Sequence, residues 1–365
     1  MAPRRGGGSY WGGYGDYNPW SEETLLSLER NALYFGPGFT EQYYAQFAFN
    51  ILSLVAFVVF LIWACRFRSR GLPLLAIISA LVCYILFEVF VIIYQGLMIG
   101  ETVVTNYYVI IIMLWDFFIN VGISITLWIF WSFIHRFLAR LSDSGRPSLA
   151  IVSMHWIFFS ITFVLGLAEF ALCVVFEVYI VNPSAGDVWS MSNHRAKLSA
   201  ALGIIYWVMS MEILAFLAFV FFKHGRSLPK APLATLTAGA FSLFAVCLTW
   251  TIIRIRYALE NRRSPTYLDL VESVIQFVCW VGMFTGILLC CKKWSILGDA
   301  PEKHSVPHSQ YPAQYPAQYP APGPAQYSAQ YPEGQYPQVQ QQPYATPAYQ
   351  DYSQQPAQQR IPSPH

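Results

Sequence analysis

Residues 241–293 read FSLFAVCLTWTIIRIRYALENRRSPTYLDLVESVIQFVCWVGMFTGILLCCKK, and this stretch decides the fold. Two apolar runs, each long enough to cross a hydrocarbon core of about 30 Å, are joined by a short charged link. Arg254 lies near the end of the first run, and Asp269, Glu272 and Gln276 share one helical face of the second. Ionisable groups in hydrocarbon cost roughly 2.5 to 3.5 kcal/mol, so they turn inward and find partners. We therefore predict a membrane hairpin with a buried ion pair between Arg254 and Asp269 or Glu272. The pair either joins the two helices or belongs to a ligand or ion site.

The composition extends this prediction to the whole chain. Hydrophobic residues make up 55% of the 365 residues and charged residues only 12%, and the mean hydropathy is +0.41. Soluble domains are about a quarter charged. The chain is therefore predicted to be an all-α polytopic membrane protein, with a seven-transmembrane-helix bundle within residues 44–293 and the lipid bilayer as its surroundings. The predicted spans are Tyr44–Cys65, Leu72–Tyr94, Tyr107–Trp131, Leu149–Val175 with a possible extension to Ile180, Leu198–Phe222, Ala231–Ile255 and Tyr267–Cys291.

Three segments flank the bundle. The Gly- and Tyr-rich head, residues 1–17, lacks the aliphatic side chains that build a core, so disorder is predicted. Residues 18–43 begin with Asn-Pro and continue with spaced leucines, which predicts a short amphipathic helix and a linker. Residues 294–365 are rich in Gln, Tyr and Pro, with Gln-Tyr-Pro-Ala repeats from Gln310. Frequent proline forbids a regular helix, so this low-complexity tail is either a disordered spacer or a multivalent docking segment, residues 310–365, for cytoplasmic proteins.

The lysines and arginines beside the spans predict the orientation. They are concentrated after the first, third, fifth and seventh spans, and positively charged loops face the cytoplasm. The N-terminus is therefore predicted outside and the C-terminus inside, most plausibly at the plasma membrane. Arg195 and Lys197 fall, in this scheme, in a loop on the outer side.

Several polar residues lie inside the predicted spans. Asp116 and Asn120 are one helical turn apart, and they are candidate ligand- or ion-binding residues together with Glu88, Glu169 and Glu212. The alternative is hydrogen bonding between helices by protonated acids. His155 and Glu177 also lie in the spans, and His155 is predicted to be a structural hydrogen-bonding residue.

Other features of the sequence exclude protein classes. The seventh span has no lysine before Lys292, so a retinal Schiff base has no amine there. Proline occurs only at span starts, which disfavours the broken helices of many ion-coupled transporters. The chain shows no spaced metal ligands, no catalytic motif and no basic block with interleaved aromatics. We expect no enzymatic activity, no cofactor, no metal and no nucleic-acid binding.

Two short motifs occur in the seventh span. Gly282 and Gly286 form a Gly-x-x-x-Gly pair, which permits close helix contact either within the bundle or in a homo-oligomer. Cys290 and Cys291 stand beside two lysines at the predicted inner face. They are candidates for lipidation, and the alternative is that they are ordinary membrane cysteines.

The layout resembles that of the fungal seven-helix membrane proteins of the RTA1-like and PTH11-like families. The resemblance covers residues 44–293. It is carried by Arg254-Ile255-Arg256-Tyr257 followed by Asp269 and Glu272. The glutamate that those families place soon after the arginine is displaced here to Glu260, and extracellular cysteines of the PTH11 type are absent. The resemblance implies a plasma-membrane role in sensing or in lipid-related export and resistance.

These observations favour a non-enzymatic, receptor-like sensor with an acidic cluster inside the membrane and a docking tail. The alternatives are a transporter of lipid or another amphipathic solute, and a membrane-organising scaffold. A cavity that opens only outward favours the sensor.

Overall fold

The computed structural model describes a helical bundle. The described residues are 18–29, 31, 38–67, 72–142, 146–182, 184, 186–224, 230–260 and 265–298. Among them, seven helices are long and apolar enough to cross a membrane, which confirms the predicted fold class. The head and residues 299–365 of the tail lie outside the described part of the chain. The helices are α1 (Phe39–Cys65), α2 (Leu74–Ile99), α3 (Val109–Leu141), α4 (Leu149–Val181), α5 (Val188–His224), α6 (Lys230–Ile253) and α7 (Leu268–Gly298).

The helices pack in chain order. Each contacts the next, α7 closes the ring against α1, and α3 also contacts α5. Because consecutive spanning helices alternate in direction, α1, α3, α5 and α7 begin at one end of the bundle, which we call the N-terminal face, and end at the other, the C-terminal face. The interior of α3 includes the fully buried Phe130, Trp131 and Phe133. This helix is therefore central to the core.

The N-terminal segment is bound to the α2–α3 loop. A 3₁₀ turn at Pro19–Ser21 precedes strand β1 (Glu23–Leu25), which pairs antiparallel with β2 (Val103–Thr105). The side chain of Asn106 accepts a hydrogen bond from Thr24 Oγ1 at 2.7 Å and donates one to the carbonyl oxygen of Pro19 at 2.8 Å. The predicted amphipathic helix is thus wrong for residues 23–25, which form a strand. The backbone groups of this strand find their hydrogen-bond partners in the α2–α3 loop, whereas those of a helix would find them within the helix.

Helices α6 and α7 make the closest backbone contact. A Cβ built on Gly286 would lie 2.7 Å from the carbonyl oxygen of Thr235 and 2.8 Å from the Cα of Gly239. A Cβ on Gly282 would lie 2.6 Å from the Ser242 hydroxyl oxygen. The Gly-x-x-x-Gly pair therefore serves contact within the bundle, the first of its two predicted roles.

Three helix boundaries differ from the prediction in ways that matter for the site. Helix α3 continues from Trp131 to Leu141, and α5 begins at Val188 instead of Leu198. Helix α7 continues beyond Cys291 to Gly298, into the predicted tail. The polar residues at these positions do not end the helices. Beyond the apolar part of each span, their side chains can form hydrogen bonds with protein groups or with solvent.

An aromatic layer fills the middle of the bundle between α1, α2 and α7. The rings of Phe57, Tyr84, Trp280 and Phe284 are all at most 2% exposed. The ring centroids of Tyr84 and Trp280 are 5.3 Å apart, and those of Tyr84 and Phe284 are 5.5 Å apart. Such spacing is typical of tightly packed aromatic pairs. The four rings therefore fill the interior between these three helices at this depth.

Candidate functional site

A cavity opens between α1, α2, α3 and α7 in the half of the bundle nearer the N-terminal face. Its volume is about 310 Å³. Typical small-molecule sites have volumes of about 300 to 1,000 Å³. We call this cavity the N-terminal cavity. Its lining residues are Tyr43, Gln46, Asn50, Phe87, Val91, Tyr94, Gln95, Trp115, Asp269, Glu272, Ser273 and Gln276.

The lining of the N-terminal cavity is acidic, amide-rich and aromatic. The predicted candidates Asp269, Glu272 and Gln276 all belong to it, and none of its described lining residues is a lysine or arginine. Gln276 Nε2 donates to Glu272 Oε1 at 2.7 Å, and the Glu272 carboxylate also interacts with the side chain of Trp250. Across the cavity, Asn50 Nδ2 donates to Gln95 Oε1 at 2.8 Å.

The floor of the N-terminal cavity is the aromatic layer. Phe87 lines the cavity and packs edge-on against Trp280, with ring centroids 5.9 Å apart. A second, smaller cavity shares Tyr43 and Asp269 with the first and includes Phe39, the first residue of α1. The lining therefore extends towards the N-terminal face and stops at the aromatic layer.

Arg254 is not paired with the acids of α7. Its Nη1 donates to the carbonyl oxygen of Ser199 in α5 at 3.2 Å, and its guanidinium lies 5.5 Å from the ring centre of Trp250. The predicted ion pair with Asp269 or Glu272 is wrong. The physical reason is a π-helical segment, Arg254–Leu259, that follows α6 and packs against α5.

Gly203 lies beside this arrangement. A Cβ built on Gly203 would be in ordinary van der Waals contact, at 3.5 Å, with the Cδ of Arg254, so the arginine runs close along α5. Thr251 Oγ1 donates to the Gly203 carbonyl oxygen at 2.8 Å and fixes the two helices at that point. Arg254 thus bonds α6 to α5, and its interaction with α7 is a longer-range electrostatic one with Glu272.

A second polar site, the arginine network, joins α3, α4 and α5. Arg195 Nη2 lies 3.3 Å from Asp116 Oδ1, its Nε 3.8 Å from Glu169 Oε1, and its Nη1 3.9 Å from Glu177 Oε1. The side chains of Asp116, Glu169 and Glu177 are buried. Three carboxyl groups from two helices therefore share one guanidinium from a third.

Asn120 orders the carboxyl groups of this network. Its Nδ2 donates to Glu169 Oε2 at 2.7 Å and to the Asp116 carbonyl oxygen at 3.0 Å. A Cβ on Gly166 would lie 3.4 Å from the Asn120 Cβ, so the small residue allows α3 and α4 to approach here. The predicted candidates Asp116, Asn120 and Glu169 are thus brought together.

A third polar site, the histidine chain, lies on the same three helices nearer the C-terminal face. His135 Nε2 is 2.7 Å from His155 Nδ1, and His155 Nε2 is 2.8 Å from Glu212 Oε1. Trp131 Nε1 donates to Glu212 Oε2 at 2.8 Å. Glu212 therefore lies apart from the other predicted candidates, and His155 is a hydrogen-bonding residue, as its predicted structural role requires.

Glu88 is isolated from all three polar sites. It is 1% exposed, and its Oε2 has no hydrogen-bond partner. It therefore joins none of the three sites, and its carboxyl group is only partly satisfied, through a hydrogen bond with Ser53.

The two lipidation candidates near the end of α7 face the interior of the bundle. Cys290 and Cys291 are both 0% exposed, and α7 continues past them to Trp294, whose ring packs against Phe137. An acyl chain has no access to either thiol in this conformation.

Comparisons with known proteins find no match. No family model matches the chain, and neither a curated protein nor a solved structure matches it significantly. The function must therefore be argued from the geometry.

Two residues of these sites were missed from the sequence as site residues. Arg195 was assigned to a loop, although its position seven residues into α5 carries it into the bundle. The predicted third span ends at Trp131, so His135 falls outside it and is not a predicted partner of His155. The available signal was depth: His135 lies six residues before the end of α3, and His155 six residues after the start of α4, so both lie about 9 Å from the same face.

Proposed function

We propose that this membrane protein is a receptor-like sensor that binds a small organic cation with an apolar or aromatic part in the N-terminal cavity. One observation supports this best: an acid- and aromatic-lined cavity extends towards the N-terminal face and ends at the aromatic layer. A solute that enters there meets no continuous path to the other face. Binding without passage is the property of a receptor.

The chemistry of the lining supports the ligand class. Asp269 and Glu272 supply negative charge, and Tyr94, Phe87 and Trp115 supply aromatic faces that attract cations. The amides of Gln46 and Gln95 supply hydrogen bonds. An anion would meet two carboxylates and none of the described lysines or arginines.

The proposal includes orientation. The distribution of lysine and arginine supports an N-terminal face outside the cell and a plasma-membrane location. The cavity would then sample external solutes, and the tail, residues 310–365, would recruit cytoplasmic proteins. The resemblance to the RTA1-like and PTH11-like families is consistent with such a sensing role.

Ligand binding can be tested with benzyltrimethylammonium as the probe. Full-length protein in lipid nanodiscs is titrated calorimetrically with this cation and with its neutral isostere, neopentylbenzene. We expect the cation to bind more tightly. Glu272→Gln and Asp269→Asn should each weaken its binding roughly tenfold, because each removes a charged partner.

Glu41→Gln is the matched control. Glu41 is an exposed acid in the first turn of α1, at the same face but outside the cavity lining. Its removal should leave the affinity unchanged. Equal binding of the cation and the neutral isostere, or equal loss in all three variants, would contradict the proposal.

The main alternative is a transporter of lipid or another amphipathic solute, for which the aromatic layer would have to open. Proteoliposomes that contain the protein should not accumulate the probe cation above the level of empty liposomes if the sensor proposal is right. Uptake that Phe284→Ala increases would favour transport instead. Deletion of residues 310–365 should abolish signalling output while the cation still binds.

Topology is tested separately. Protease added to intact cells should remove an N-terminal tag and spare a C-terminal one. The opposite pattern would place the N-terminal cavity on the cytoplasmic side and would contradict external sensing.

A further inference from the structure

The histidine chain has a defined hydrogen-bond direction. When Glu212 is ionised, it must accept from His155 Nε2, at 2.8 Å, so that nitrogen carries the proton. His155 Nδ1 is then an acceptor, and the facing nitrogen of His135, at 2.7 Å, must be the donor. One ionisation state of the carboxylate thus fixes the tautomers of both imidazoles.

The charge of this state is unfavourable in its surroundings. With both imidazoles neutral, the chain carries one negative charge beside the fully buried His155, and Trp131 is the donor to the second oxygen of Glu212. An uncompensated charge inside the membrane is costly, and it is removed by one added proton. A second added proton would create the opposite charge. The histidine chain is therefore electrically neutral when it has bound one additional proton.

Both ends of the chain are partly exposed, but they differ in depth. Glu212, whose side chain is 19% exposed, lies twelve residues, or about 18 Å, before the C-terminal end of α5, so water at the C-terminal face is nearer to His135. His155 is 0% exposed, whereas His135 is only half-buried and lies about 9 Å from the C-terminal end of α3. The Nδ1 atom of His135 is the ring nitrogen that does not face His155. It is thus the entry point for a proton from the C-terminal face.

We propose that the histidine chain is a proton-binding relay that takes up one proton at His135 and delivers it to Glu212. As a proton bonds to His135 Nδ1, the Nε2 proton of His135 passes to His155 Nδ1, and the Nε2 proton of His155 passes to Glu212 Oε1. Only N–H and O–H bonds form and break, and the proton comes from bulk water. At the end Glu212 is a neutral acid, both imidazoles are neutral, and both hydrogen bonds run in the opposite direction.

No other described ionisable group faces the relay. On α3, Arg140 is turned towards α7, with its guanidinium 4.1 Å from the ring centre of Trp294, and Arg136 neighbours Cys290 and Cys291 of α7. His155 is the relay's residue from α4 and Glu212 its residue from α5, and the electrostatic influences on His135 come from these two. Phe216 of α5 packs edge-on against His155 with ring centroids 5.5 Å apart. The relay shares no residue with the lining of the N-terminal cavity.

The test uses full-length protein with ¹⁵N-labelled histidine in nanodiscs, titrated from about pH 4 to pH 9. Imidazole ¹⁵N shifts report which ring nitrogen carries the proton. We expect His135 and His155 to exchange tautomers together at one midpoint, and an infrared carboxylic-acid band to appear at the same midpoint. Glu212→Gln should abolish both changes.

Two further variants separate a relay from a structural hydrogen-bond chain. Trp131→Phe keeps an aromatic ring but removes the donor to Glu212 Oε2, so the midpoint should move to higher pH, corresponding to about tenfold in proton affinity. His194→Gln is the matched control, because His194 is an exposed histidine of α5 bonded to the Ser190 carbonyl oxygen. It should leave the shared midpoint unchanged.

Several results would overturn the relay. These are separate midpoints for the two imidazoles, tautomers that stay fixed over the whole range, and an unchanged midpoint in Trp131→Phe. Because the wild-type titration alone can give the first two results, the test does not depend on the folding of any variant.

Discussion

Replacement of Arg195 by leucine should destabilise the bundle more than any other single charge removal in α5. The guanidinium is the cation shared by three buried carboxyl groups, at 3.3 Å from Asp116, 3.8 Å from Glu169 and 3.9 Å from Glu177. Removal of one member of a buried ion network leaves its partners uncompensated and costs about 3 to 5 kcal/mol. We expect the loss in the free energy of unfolding to lie in that range.

The three distances indicate how much each acid contributes to the interaction with Arg195. Asp116 is within hydrogen-bond distance of the arginine, whereas Glu177 is the farthest of the three and Glu169 is also bound by Asn120 at 2.7 Å. Neutralisation of Glu177 by glutamine should therefore cost least, within about 1 kcal/mol, because Glu177 is beyond hydrogen-bond distance of the guanidinium and Arg195 keeps Asp116 and Glu169 as partners.

The assay is unfolding in mixed micelles with increasing SDS, followed by near-ultraviolet circular dichroism. Lys197→Leu is the matched control, since Lys197 is an exposed cation two residues further along the same helix. Its free energy of unfolding should stay within about 0.5 kcal/mol of wild type. Arg195→Leu combined with amide substitutions of Asp116, Glu169 and Glu177 should recover much of the loss, because no buried charge remains. An Arg195→Leu protein as stable as Lys197→Leu would refute this account of the network.

Three further predictions concern packing and unsatisfied groups, and the same unfolding assay checks each of them. Gly286→Ala should cost about 1 to 3 kcal/mol, because its Cβ would lie 2.7 Å from the Thr235 carbonyl oxygen. Gly96→Ala, where nothing lies within 4 Å of the added Cβ, should instead stabilise α2 by up to about 1 kcal/mol, and equal effects of the two changes would contradict the packing argument. Glu88→Met should raise the free energy of unfolding by about 1 to 3 kcal/mol, since Glu88 Oε2 is buried without a partner, and a loss of stability would show that the carboxyl group is satisfied in the membrane.

The lengths of the apolar runs are sufficient to predict the seven helices, but they predict helices that are too short. The polar stretch before Leu198 is helical from Val188 onwards because the helix continues beyond the hydrophobic run. Only this extension places Arg195 beside α3 and α4. A hydropathy window cannot distinguish such a helical extension from a loop.

The partner of Arg254 could not be predicted for a different reason. Matching depth across a hairpin predicts proximity to the start of α7, but it assumes a regular α-helix. The π-helical segment Arg254–Leu259 changes the direction of the side chain, and the side chain runs close along α5 at Gly203. Neither is visible in a hydrophobic pattern. Depth along the predicted spans pairs Asp116 and Asn120 correctly, but it groups Glu212 with them, whereas the structure brings Glu169 to Asn120 and places Glu212 in the histidine chain.

The contact between α6 and α7 has a mechanical consequence. With the backbone of Gly286 against those of Gly239 and Thr235, a small slide of one helix along the other would press backbone atoms together. Relative sliding of the two helices is therefore sterically opposed, so a displacement of the start of α7 should move α6 with it. The hydrogen bond from Arg254 to Ser199 joins α6 in turn to α5.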